Sequence, residues 1–334
     1  MSTTSVKPTL ARRASPHLSA ATTRAATERR ADAVALLARL VAATALVAAA
    51  VGLFWEGSGA STAYTTLRGE TVETYGRGIY AADTLFRGAG FRGSDALTLF
   101  AGVPFLLVAV ALYRRGSVRG TFLLAGALAY FLYTYASVAL GAAYNDLFLL
   151  YVAVFSAALF ALVTLLRAVD VGEVDWSRMP RRSIGIFMLA SGVVTAAIWL
   201  LLTDLLPALI ERRTPELEGY TTLVTHVLDL GIVVPSVFAA GVLILRRSPL
   251  GYLFAIPLLV VEASLLPMIA AQTASQVEAG VSFTTAEIIG PIASFCVFAL
   301  LAVWFLVAVL RRMPGSGATR GIRLPGPASR PVER

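Results

Sequence analysis

Long apolar runs fill this chain, and arginine clusters occupy every second connection between them. A helical run of about 20 residues crosses a hydrocarbon core of ~30 Å at ~1.5 Å per residue. In lipid every backbone N–H and C=O needs a partner within the protein, and these runs lack the two-residue alternation of barrel strands. The pattern predicts an all-α integral membrane protein, a bundle of about eight transmembrane helices, with spans near 33–55, 95–113, 120–141, 146–167, 184–207, 220–245, 250–271 and 286–310. Composition agrees: 57% of the 334 residues are hydrophobic and 14% are charged, against about 25% charged in a soluble domain.

The basic residues give the bundle a direction. Of the 28 Lys and Arg residues, only Arg68, Arg77, Arg87, Arg92, Arg212 and Arg213 fall on one side of the predicted spans. The rest gather at the two ends of the chain and in the connections around Arg114, Arg167 to Arg182, and Arg246. Lys and Arg are enriched in cytoplasmic connections, so both termini are expected inside a cell membrane. An eight-span count is required for this split, since a miscount by one would scramble it. The net charge of +8 is then a topological signal and not a nucleic-acid footprint. No zinc-finger, RNP or helix-turn-helix pattern accompanies it, so the expected partner is the bilayer. The near-exclusive use of Arg over Lys, with abundant Ala and Gly, suits a GC-rich bacterial genome.

Residues 1–32 and 313–334 read as disordered cytoplasmic tails around a transmembrane domain of residues 33–312. The first is rich in Ser, Thr, Ala and Arg, and the second in Pro, Gly and Arg. Arg29-Arg30 before an apolar run resembles a twin-arginine signal. The run is long enough to span and shows no small-residue cleavage site, so it reads as a retained first helix. Residues 56–94 form the one long external connection, expected to fold back as a lid with its charges self-paired. Its most pointed stretch is Tyr75-Gly-Arg-Gly-Ile-Tyr80, whose glycines permit a tight turn.

A weak internal repeat is visible. Val103-Pro104 precedes Arg114-Arg115, and Val234-Pro235 precedes Arg246-Arg247. Tyr130 and Glu262 follow the second arginine of each pair at the same spacing. This would be a parallel four-plus-four duplication.

Ionisable residues inside spans are costly and need a reason. His226 and Asp229 lie in the sixth predicted span and Glu262 in the seventh. Thr222, Thr225, His226 and Asp229 share a helical face, and a His and an Asp three apart are in reach of a direct hydrogen bond. Pro235 follows one or two turns deeper, and Pro257 and Pro267 flank Glu262. Polar groups cluster at the extracytoplasmic ends: Asp95, Tyr144, Asn145, Asp146, Asp204, Gln272 and Glu287, with Tyr130, Thr134 and Ser137 along one face of the third span. The expectation is a polar cavity open to the outside, with His226, Asp229, Glu262, Tyr130, Asp146, Asp204 and Glu287 as candidate substrate or proton-pathway residues. Asn145-Asp146 also reads as a plain helix cap.

Three readings of His226, Asp229 and Glu262 stand at this level. They glue helices together; they carry a proton, cation or polar solute; or they form a metal or hydrolytic centre acting on an extracytoplasmic substrate. The last is the least favoured. Zinc takes several His or Cys ligands, and the only other histidine, His17, lies in the tail. Neither a cofactor nor a resident metal is expected, because no Walker A, HExxH, GxSxG or CxxC motif occurs. Transport or permeation of a small solute or ion is the leading expectation, ahead of a membrane-embedded enzyme or a non-catalytic structural or sensory partner.

Overall fold

The structure is a computed structural model that describes residues 16–285, 289 and 292–313, without the side chains of residues 16–24 and Glu173. Among the described residues, eight helices are long and apolar enough to cross a membrane. The chain is a multi-pass helical membrane protein.

The first helix, α1 (Pro16–Phe54), starts well before residue 33. This corrects the expectation of a disordered tail over 1–32, at least from Pro16. The segment is rich in Ala and Arg, strong helix formers that extend a helix beyond its apolar stretch. The second span is α2 (Leu85–Leu97), a π turn at Thr98–Gly102 and α3 (Val103–Arg114). It also begins earlier than expected, so residues 85–94 belong to a helix and not to the external segment. Then come α4 (Val118–Gly141), α5 (Phe148–Leu166), α6 (Arg181–Leu201) and the short α7 (Leu205–Ile210). The sixth span is α8 (Val224–Leu228), a second π turn at Asp229–Val233 and α9 (Val234–Leu245). Last are α10 (Leu250–Glu278), unbroken through Pro257 and Pro267, and α11 (Ala293–Arg312). Of the expected C-terminal tail only Met313 is described. It is buried, and its carbonyl accepts from Arg119 at 2.8 Å.

The sequence of α1 shows how the bundle packs. Its buried face is Val34, Ala35, Ala38, Val41, Ala42, Ala45 and Ala48, at helical spacing, while Leu36, Leu40, Leu46 and Val47 are exposed. Small residues turned inward let backbones approach, and the large apolar ones are left for lipid. Two buried clusters result. One joins α1, α3, α4 and α5. The other joins α6, α9, α10 and α11 with the start of α4.

The second and sixth spans match in local detail. Each interrupts its α-helix with a π turn, and each resumes with Val-Pro. At their ends Ser117 N donates to Leu112 O at 3.1 Å, and Ser248 N donates to Leu243 O at 2.9 Å. A positive-φ residue sits in each turn, Gly116 and Arg247. Gly120 and Gly251 then press their Cα against the preceding helix: a Cβ at either would lie 2.6 Å from a backbone atom there.

The connections gather at two ends. At one end lie the arginine-rich turns, where Trp176 stacks on Tyr252 at 4.7 Å and Arg181 donates to Leu245 O at 3.2 Å. At the other, the segment after α1 folds into a hairpin, β1 (Ala63–Thr65) with β2 (Thr71–Glu73), and a 3-10 turn at Gly78–Tyr80. The Gly-Arg-Gly stretch makes the predicted tight turn, with Gly76 and Gly78 both at positive φ. The expected self-pairing of its charges is corrected. Arg92 pairs with Glu278 of α10 at 3.3 Å, Arg68 donates to Tyr220 O at 3.0 Å, and Glu73 accepts from Ser61 at 2.8 Å. A carbonyl and a carboxylate of neighbouring elements and a hydroxyl of the segment itself supply partners nearer than the segment's own opposite charges.

Candidate functional site

Asp229 opens the second π turn and is buried. Tyr133 of α4 donates its hydroxyl to one carboxylate oxygen at 2.8 Å, and Trp199 of α6 donates its indole N–H to the other at 2.7 Å. Three helices thus meet on one carboxylate, and both oxygens are satisfied. A buried carboxylate requires such donors.

His226 lies three residues earlier and does not bond Asp229, contrary to the sequence expectation. Its Nε2 meets the Thr203 hydroxyl at 3.3 Å, and its ring packs on Trp199 with centroids 4.3 Å apart. The aromatic donors already hold both Asp229 oxygens, and Trp199 stands between the two side chains.

Glu262 of α10 is buried and accepts from Ser191 of α6 at 2.6 Å, while Oε2 has no partner among the described residues. Ser191 and Trp199 are eight residues apart on α6, about 12 Å along its axis. Glu262 and Asp229 therefore occupy two levels of the same helix. Tyr130 bonds Thr98 at 3.0 Å, and Thr98 opens the first π turn as Asp229 opens the second.

The remaining candidates separate. Asp146 is exposed in the turn before α5, where Asn145 accepts from Leu147 N at 3.0 Å; the N-cap of α5 is Leu147, without a side-chain cap, so the expected Asn145-Asp146 cap is corrected to a turn ahead of the helix. Asp204 pairs with Arg213 and accepts from Glu216 N at 3.0 Å. Those bonds, the Arg213 guanidinium first, hold its carboxyl down at about 2. Glu287 lies outside the described residues. Among the described residues no group of three His, Cys, Asp or Glu is arranged to hold a metal.

A half-open cleft of about 240 Å³ lies at the arginine-poor end, lined by Phe86, Arg87, Thr203, Asp204, Leu205, Pro215, Glu216, Leu217, Glu218, Leu223 and His226. Of the sequence candidates it brings together His226 and Asp204. The sequence reading missed Arg87, Glu218 and Thr203. Arg87 lies 3.9 Å over the Tyr220 ring. Thr84 caps α2 and donates to Glu218 at 3.0 Å.

Behind Arg87 is Asp83, also unmarked by the sequence except as a counter-charge. It is 1% exposed and accepts from Ala143 N and from the Tyr220 hydroxyl, both at 2.7 Å. Burial raises its carboxyl to about 6, against the lowering effect of those bonds and of Arg87. Tyr220 is pushed up by its own burial and by Asp83. Its one sequence signal was position: a tyrosine at the outer end of a predicted span, in a chain whose polar groups crowd that end.

The chain matches no family model, no curated protein and no solved structure.

Proposed function

We propose that this protein moves a small polar solute or ion across a bacterial cytoplasmic membrane, entering from the extracytoplasmic side through the cleft. The carrying observation is the position of Trp199. It packs on His226, which lines the cleft, and bonds Asp229, which does not. One indole therefore separates an open polar chamber from a buried carboxylate. Further along the same helix Ser191 meets Glu262. Buried carboxylates stepped along a helix are the materials of proton and cation pathways.

Orientation follows from charge. The cleft end carries few arginines and the opposite end carries many, so the positive-inside rule puts both termini in the cytoplasm. The matched π turns, Val-Pro steps and close glycines support descent from a four-helix duplication. Carriers built from repeats commonly bind near interrupted helices at the repeat interface, and π turns recur at functional sites. A hydrolytic reading draws no comparable support, since His226 meets a hydroxyl and not a carboxylate.

The test is uptake by proteoliposomes challenged with a panel of labelled amino acids, organic acids and amines under an imposed proton gradient. Asp229→Asn and Glu262→Gln are expected to lower uptake at least tenfold while their melting curves stay within a few degrees of the parent. Uptake at the parent rate by both variants, or accumulation of no solute by the parent, overturns the reading.

A further inference from the structure

The chemistry of the cleft indicates what it holds, an inference that rests on reading it as the entrance to the pathway. Arg87 is half-buried and stacked on Tyr220, and among the described residues its guanidinium makes one hydrogen bond, a long one of 3.4 Å to Gly141 O. Among the described residues no carboxylate lies within ion-pair distance of it. A guanidinium carries five N–H donors in a fixed fork suited to an oxyanion, so most of this one's donors remain to be used. On the same cleft Glu218 gives one oxygen to Thr84. Its backbone is held at φ 50, a left-handed conformation that costs a non-glycine residue energy and that clusters at binding sites. Glu216 lines the cleft beside it. Asp204 is already neutralised by Arg213.

The charge balance selects the ligand. A simple anion drawn to Arg87 would meet the repulsion of Glu216 and Glu218, and a simple cation drawn to those carboxylates would meet Arg87. We propose that the cleft binds a small zwitterion, its oxyanion on the Arg87 guanidinium and its ammonium toward Glu218, with Thr203 and His226 at its inner wall. At about 240 Å³ the space falls below that of drug-sized pockets. Two sources share this chemistry. One is a free solute such as an amino acid or phosphoethanolamine. The other is the headgroup of an ethanolamine phospholipid, whose chains would lie along the exposed Leu209 and Ile210 beside the cleft-lining Leu205.

The chain has two histidines, so a His17→Gln background leaves the His226 imidazole as a single reporter in isotope-edited NMR. In phosphatidylcholine nanodiscs, phosphoethanolamine is expected to shift that resonance at a concentration at least tenfold lower than inorganic phosphate requires. In discs containing phosphatidylethanolamine the resonance is shifted before any addition if the lipid is the source, and unshifted if the free solute is. Arg87→Gln and Glu218→Gln should each weaken the phosphoethanolamine response at least tenfold. Should Arg87→Gln disturb folding by loss of its Tyr220 stack, Arg87→Lys with an unchanged melt should show the same weakening, because a point charge lacks the fork. An equal response to inorganic phosphate, a response surviving both charge removals, or no response to either additive or lipid overturns the proposal. Binding without any solute uptake would retire the transport reading and leave this one intact.

Discussion

Asp83 ties three connections together while making no ion pair among the described residues. It belongs to the segment after α1, accepts from the backbone of the α4–α5 turn through Ala143, and accepts from Tyr220 in the loop before α8. Its carboxyl rises from 3.8 to about 6 because burial outweighs those donors. A carboxyl raised in the folded state stabilises fully below its unfolded value, and the contribution is lost as pH rises through about 6. At 1.36 kcal/mol per unit the difference approaches about 3 kcal/mol. Hydrogen exchange at Ala143 should therefore speed up from pH 5 to pH 7 by more than base catalysis explains. Asp83→Asn, which keeps an acceptor oxygen and has no charge to bury, should abolish that excess. An excess unchanged in the variant would show that Asp83 is not its origin. The sequence singled out Asp229 and Glu262 because a charge inside an apolar run is conspicuous. Asp83 and Arg87 lay among other charges outside the runs, where only tertiary contacts distinguish a buried carboxylate from a solvated one.

At the scale of elements, apolar length and flanking arginines are local properties, and they marked all eight spans. The π turns were not legible, because an extra residue in a helical turn leaves apolar periodicity nearly unchanged. Val103-Pro104 and Val234-Pro235 nonetheless stood just after each. A proline resuming a helix lacks the N–H that would bond four residues back, and a preceding wide turn accommodates that loss. The same turn sets which way Asp229 faces. Deleting Gly231 should restore α-helical pitch and rotate everything before it by about 100° relative to α9, carrying Asp229 away from Tyr133 and Trp199. Gly231→Ala changes no register, and its Cβ would meet nothing within 4 Å. The deletion should alter the Trp199 indole N–H resonance and lower the melting temperature. The alanine variant should leave the resonance in place and stabilise by about 0.5–1 kcal/mol, the usual gain of Ala over Gly within a helix. Matching behaviour of the two would show that the turn does not hold the carboxylate.

At the scale of the molecule, the bundle has two chemically unlike ends. One is stitched by aromatic stacks and arginines bonded to carbonyls, and the other by a hairpin, a buried carboxylate and the cleft. The charge asymmetry that counts the spans also predicts an outward-facing cleft, because Arg68, Arg77, Arg87, Arg92, Arg212 and Arg213 are too few to reverse the bias of the opposite connections. Chemical access tests this directly. Cys296 is the only cysteine, so Cys296→Ala gives a background for single reporters. Leu67, at the hairpin turn, is fully exposed at the cleft end. Ser177 lies in the connection between α5 and α6 at the other end, beside Trp176, and is exposed. In intact cells a membrane-impermeant maleimide should label Leu67→Cys and not Ser177→Cys, and both should label once the cells are opened. The opposite pattern would turn the cleft to the cytoplasm and make it an exit, since the same residues would then meet solute from within. Labelling of both in intact cells would remove the barrier between the two ends that an eight-span bundle requires.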